Sequence, residues 1–266
     1  GLPVVSEAKP PLLQLTGRET VFTGGNQDLE ALRARFSSQH VIRLPGFCSP
    51  GLLSTIQQQL ESAEFRELKH EGIGAELCMA ENLTAHVLRL VMNDRRLHEI
   101  VEFVTCCGPI GCFEGRVYRV VPGASHHDSW HDDLADTRRK IGLSLNLSRA
   151  EFSGSAFELC EWSTGRVLAR VANTGIGDAI LFRLAPFLKH RISPLEGNVP
   201  KTAYAGWFQD QPEFHELLQE QFSAVKDKEK TDSAGRAPER LDRVPGRSMH
   251  RQRHQTFAKS GSGRGV

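Results

Sequence analysis

The stretch KIGLSLNLS, Lys140–Ser148, decides the fold. Ile141, Leu143, Leu145 and Leu147 alternate with Lys140, Gly142, Ser144, Asn146 and Ser148, a period of two that fits a strand with one apolar face. The same period recurs in GRVYRVVP (115–122), SAFELCEW (155–162), RVLARVA (166–172), DAILFRL (178–184), HRISPL (190–195) and KTAYAGWFQ (201–209). Gly, Pro, Asn, Ser and Thr separate these runs as turn residues. Several short strands with turns between them predict a β-sandwich or jelly roll.

Upstream of Gly108 the period is close to four. Leu29, Leu32 and Phe36 follow Asn26, taken as a cap. Ser49 and Pro50 open a helix with Leu53, Ile56 and Leu60 on one face. Two more helices are predicted around Leu83–Met92 and Arg95–Val104, the second capped by Asp94, and one strand is expected at His40–Phe47. A last helix fits 212–225, with Pro212 at its start. The expectation is an α+β chain of one domain, residues 1–225, with a helical layer at about 25–105 and a jelly-roll core at about 113–209.

Residues 226–266 hold 11 Lys and Arg against 5 Asp and Glu, a net +6 that leaves the body at −5 within the overall +1. This stretch reads as a solvated basic extension without helical or strand period, its charge offering nucleic acid no more than a loose contact. With 39% hydrophobic and 24% charged residues the composition is that of a globular protein. No run approaches a membrane span and no signal-peptide pattern is visible, so a cytoplasmic protein is expected. The six cysteines show no paired C-x-x-C spacing, and reduced thiols suit that compartment.

The motif that carries chemistry is HHDSWHDD, residues 126–133. Both His126-x-Asp128 and His131-x-Asp133 fit a short His-x-Asp pattern. On a strand, positions i and i+2 share a face, so one such pair can converge on a metal while the residue between points away. A third ligand must come from elsewhere, and His190, in a predicted strand after GDAILF, is better placed than His215, His250 or His254. From spacing alone His190 is equally well read as a hydrogen-bonded core histidine. Two His and one carboxylate form the facial set of non-haem Fe(II) oxygenases.

The order YRVVPG, WHDD, KIGLSLNLS, FSGSAFEL, GDAILF, HRISPLEG, KTAYAGWF resembles the 2-oxoglutarate- and Fe(II)-dependent oxygenases, most of all their prolyl-4-hydroxylase-like branch, over roughly Gln39 to Gln209. The resemblance implies a double-stranded β-helix with N-terminal helices on its major sheet, and Fe(II) held by His131, Asp133 and His190. It puts His126, His127 and Asp128 in a loop at the mouth of the site. It makes 2-oxoglutarate and O2 cosubstrates, with Lys201, eleven positions after His190, on the far carboxylate. Tyr118 becomes a partner of that carboxylate, Asn146 a buried polar residue needing a partner and counted with Lys201 and Tyr118 among the cosubstrate-binding residues, and Lys140 the alternative cation. Tyr118 also fits a core tyrosine. The implied activity is hydroxylation of an unactivated C–H bond in an amino acid, peptide or small metabolite, and the carboxylate ligand Asp133 argues against halogenation. Two other readings of the same residues stay open: a cupin-like metal enzyme with no use for Lys201, and a binding module with a degenerate site.

Overall fold

The computed structural model describes residues 10–234. A short hairpin of β1 (Leu13–Leu15) and β2 (Thr20–Phe22) precedes α1 (Asn26–Gln39), β3 (Val41–Leu44) and α2 (Pro50–Leu60). Then follow β4 (Phe65–His70), β5 (Gly74–Met79), α3 (Leu83–Met92) and α4 (Arg95–Thr105). The second half runs β6 (Cys112–Val120), β7 (His127–Asp128), β8 (Arg139–Asn146), β9 (Ser153–Gly154), β10 (Phe157–Glu161) and β11 (Arg166–Val171). It closes with β12 (Ala179–Arg183), β13 (Leu188–Ile192), β14 (Leu195–Glu196), β15 (Lys201–Gln209) and α5 (Phe214–Ala234).

The helix starts obey capping chemistry. The Ser49 hydroxyl accepts from the Leu52 amide with Pro50 in the first turn, and the Asn82 side chain caps α3. Asp94 caps α4 through the Arg96 amide and also accepts from the Thr20 amide at 2.7 Å, tying the first hairpin to the helical layer. Gly25, and not Asn26, precedes α1, and the Asp28 carboxylate accepts the Gly25 N–H at 2.8 Å.

Eight strands form the major sheet in the order β3-β12-β8-β15-β6-β5-β4, with β7 paired to β5. Strands β11, β10 and β13 form the minor sheet. Alternation sorts the side chains onto two faces. Ile141, Leu143 and Leu145 of β8, Leu181 of β12 and Tyr204 and Phe208 of β15 pack with Phe36, Ile56, Leu88 and Leu97 of the four helices. Ile180 and Phe182 point the other way and pack on Phe157, Leu159 and Leu188 of the minor sheet. Each such buried Leu or Phe contributes about 1.5–3 kcal/mol. Gly142 permits that inner packing, because a Cβ there would lie 2.1 Å from the Phe182 ring.

Two expectations change. The predicted helical layer contains a β-hairpin, β4–β5, joined to the major sheet through Leu77↔Arg119 and Cys78↔Tyr118. It escapes a period-two reading because β4 is exposed along most of its length. The last helix begins at Phe214, not Pro212, and continues from Lys226 to Ala234 into the stretch expected to be without period. The chain divides into two compact units between Gln221 and Phe222, and the basic segment beyond Ala234 lies outside the described residues. All six cysteines are free thiols. Among the described residues no helix is long and apolar enough to cross a membrane.

Candidate metal centre

His131 lies outside the named strands but is paired with His190. The His131 amide donates to the His190 carbonyl at 3.0 Å and the His190 amide to the His131 carbonyl at 2.9 Å, a single antiparallel bridge. Such an exchange sets two residues directly opposite each other with their side chains on one side. The imidazole centroids are 4.3 Å apart.

Asp133 reaches the same point by a different route from the one expected. It does not sit at i+2 of a strand: its φ of 62° is left-handed, a conformation that Asp tolerates better than most residues. The turn brings Asp133 Oδ1 to 3.5 Å from His131 Nε2 and Oδ2 to 3.3 Å from His190 Nε2. Asp132 points away and accepts the Leu134 amide. The three ligand atoms lie within 4.8 Å of one another, the group among the described residues that could hold a metal.

The surroundings prepare these donors. The Nδ1 of His131 lies 2.6 Å from the Ser129 carbonyl, which has only lone pairs to offer. Nδ1 therefore carries the proton and the Nε2 lone pair is free toward Asp133. The Trp207 indole N–H donates to Asp133 Oδ2 at 2.8 Å. Burial works against the Asp133 charge, but the His190 hydrogen bond, both histidines and Trp207 outweigh it and hold the carboxyl well below its ordinary range. His190 is 5% exposed and packs against the Phe157 and Phe182 rings. Two imidazoles and an ionised carboxylate, with one tautomer fixed, suit a divalent metal.

The three residues open onto a cavity of about 410 Å³ between the two sheets. Tyr118, Ser155, Ile192, Arg116, Arg139 and Trp207 also line it. Lys201 does not itself line the cavity, but its Nζ is 3.1 Å from the Ser155 hydroxyl and 5.7 Å from the Tyr118 ring centroid. It is 4% exposed, and among the described residues no carboxylate lies within ion-pair distance of it. Burial lowers its pKa to about 8, against the opposing pull of the Asp128 and Glu76 charges. Tyr118 is buried beside Ser144, and burial raises its phenol far above the ordinary value.

Other expected residues lie elsewhere. Asn146 faces inward as its period requires, but its amide donates to the Asn173 and Gly175 carbonyls and accepts the Ser148 amide. It is satisfied by the loop before β12 and is absent from the cavity lining. Lys140 reaches Asp210 at 3.0 Å and also stays outside the cavity. His126 and His127 line the cavity, and His127–Asp128 form β7 where a loop was expected.

Several cavity residues escaped sequence reading. Trp207 is one that alternation could have found, since it shares a strand face with Lys201. Arg139 stacks on its indole at 3.6 Å and donates to the Asp133 carbonyl. The Arg116–Glu76 ion pair at 2.6 Å, with His70 alongside, comes from the unforeseen β4–β5 hairpin.

No protein-family model matches the sequence, nor does any curated protein sequence. Solved structures do match. An oxidoreductase of the 2OG-Fe(II) oxygenase family from Burkholderia pseudomallei superposes at a TM-score of 0.53 and 17% identity, covering 71% of this chain and 93% of that one. A Pseudomonas putida prolyl-4-hydroxylase matches at 0.52 and 16% identity, over 69% of this chain and 100% of that one. A Trichoplax adhaerens prolyl hydroxylase in complex with a hypoxia inducible factor peptide fragment matches at 0.50 and 14% identity, over 71% and 94%. With these similarities and its curled antiparallel major sheet, the chain has the jelly-roll fold of the 2OG-Fe(II) oxygenases, prolyl-4-hydroxylases among them.

Proposed function

We propose that this chain is an Fe(II)- and 2-oxoglutarate-dependent dioxygenase that hydroxylates an unactivated C–H bond of an amino acid, a peptide side chain or a small metabolite. The observation that carries the reading is the convergence of His131, Asp133 and His190 on the wall of a cavity beside which a buried lysine has no acidic partner among the described residues. In this reading those three residues hold iron(II), and Lys201 with Tyr118 receives the far carboxylate of 2-oxoglutarate. When bound, iron and 2-oxoglutarate supply an oxidant from O2, one oxygen atom going to succinate and the other to the substrate.

The protein's own contribution is position and dryness. Trp207 keeps Asp133 charged and aimed, and the Ser129 carbonyl keeps His131 in the metal-binding tautomer. Phe157, Phe182 and Ile192 present apolar surface next to the ligands and exclude water there. A buried cation such as Lys201 is costly without an anion, so an incoming carboxylate recovers part of that cost. Lysine meets it as a point charge, where arginine would grip it in two places. A cavity of about 410 Å³ suits a cosubstrate with a small molecule or one side chain.

The test is anaerobic titration with Fe(II) and then 2-oxoglutarate, followed by the visible metal-to-ligand charge-transfer band. The expected band is absent in His190→Ala and needs far more 2-oxoglutarate in Lys201→Ala. Iron binding with no band on adding 2-oxoglutarate would overturn the reading and favour a cupin-like enzyme.

A further inference from the structure

The other His-x-Asp pair of the motif, His126 and Asp128, is left without a task by the metal reading. Yet among the described residues Asp128 is the carboxylate outside the set that lies within ion-pair distance of a candidate ligand. Its Oδ1 is 3.3 Å from His131 Nδ1, on the side of the ring away from the Nε2 that faces Asp133. Its Oδ2 accepts the Ile192 amide at 2.8 Å. Ile192 is two residues from His190 on β13.

One carboxylate thus touches both histidine-bearing segments. Across from Asp128, Gly74 of β5 pairs with it in the sheet, so β7 is anchored on its other side by the hairpin. A Cβ at Gly74 would lie 2.0 Å from the His127 carbonyl, which shows how tightly β5 and β7 are drawn together. Asp128 is therefore fixed in place and is not a side chain that happens to swing near. His126 helps on the same loop: its Nδ1 accepts the Val121 amide at 3.0 Å.

We infer that Asp128 is a positioning residue for the metal centre: it reinforces the Nδ1–H tautomer of His131 that the Ser129 carbonyl favours, and it locks the His131 segment to the His190 strand. This rests on the proposed metal site, though not on the cosubstrate. A carboxylate behind a metal-binding imidazole fixes the ring, raises the basicity of the ligating nitrogen and supports 10–100-fold of metal affinity. Here the Ser129 carbonyl takes the shorter hydrogen bond at 2.6 Å, and Asp128 adds negative charge beside the same proton. The hydrogen-bonded carbonyl and the carboxylate oxygen 3.3 Å away leave no way for Nδ1 to act as a lone-pair donor.

The experiment uses the whole chain and Co(II) alone, without 2-oxoglutarate, in wild type, Asp128→Asn and Asp128→Glu. Asparagine can still accept the Ile192 amide, so the fold is kept while the charge beside His131 is lost. Co(II) affinity is expected to fall 10–100-fold in Asp128→Asn, with an unchanged melting temperature in the metal-free protein, and to recover in part in Asp128→Glu. Long-range 1H–15N spectra of the metal-free protein, with His131 assigned from His131→Gln, should show a single Nδ1–H tautomer in wild type and a mixture in Asp128→Asn. Wild-type Co(II) affinity together with an unchanged tautomer in Asp128→Asn would overturn the inference and leave the metal site standing. Failure of the wild type to bind Co(II) or Fe(II) at all would overturn the metal site and this inference with it.

Discussion

Replacing Lys201 with methionine should weaken 2-oxoglutarate binding while making the ligand-free protein more stable, two effects of opposite sign. Lys201 is 4% exposed, and burial lowers its pKa from 10.5 to about 8. At about 1.36 kcal/mol for each tenfold change in proton affinity, this lowering is a destabilisation of about 3 kcal/mol when the lysine is charged. Its sign follows from proton binding. Between pH 8 and 10.5 the unfolded chain holds the proton that the folded one has released, so stability rises with pH through that window. The full cost is present at pH 7. Methionine removes it and gives up the two Ser155 contacts of 3.1 and 3.5 Å, worth about 1 kcal/mol together, because the longer is marginal. The net gain of about 1–2 kcal/mol corresponds to roughly 2–6 °C in the melting temperature of a chain this size. Loss of the charged partner should cost 2-oxoglutarate about 2–4 kcal/mol, or ~30- to 1,000-fold in Kd. Calorimetric titration at pH 7 and thermal melts from pH 7 to 10.5, with and without 2-oxoglutarate, read both. A lower melting temperature in Lys201→Met, or a 2-oxoglutarate Kd within threefold of wild type, would refute the reasoning.

Three further outcomes follow from single contacts. Trp207→Phe keeps a ring for Arg139 to stack on but removes the 2.8 Å indole bond to Asp133, and Fe(II) affinity measured anaerobically should fall about tenfold. Gly142→Ala drives a methyl into the Phe182 ring and should cost about 1–3 kcal/mol in denaturant unfolding; an unchanged midpoint would show that the two sheets yield there without strain. Lys140→Ala should leave the 2-oxoglutarate Kd within twofold of wild type, because its ammonium is committed to Asp210 at 3.0 Å outside the cavity; a larger change would return Lys140 to the site.

The period of two in Lys140–Ser148 and its companions determined the jelly roll and the face each side chain takes, because backbone pleating makes burial a local property of the sequence. It was enough to put Ile192 beside His190 and Asn146 inward, and the resemblance singled out His131, Asp133 and His190, whose ligand atoms the fold brings within 4.8 Å of one another. What an inward residue touches is set across the sheet, and there only the tertiary structure decided. Asn146 found backbone carbonyls of a loop nearly thirty residues away instead of the cavity. Asp133 converged on the histidines through a left-handed turn where a strand had been expected, since its place depends on the His131–His190 bridge and not on spacing. The hairpin that brings Glu76 and His70 to the cavity and anchors Asp128 had little alternation to betray it, since β4 is largely exposed and, apart from Phe65 and Met79 at its base, the hairpin is held by pairing to β6 and β7. Local pattern fixes which way a side chain points, and long-range pairing fixes what it meets.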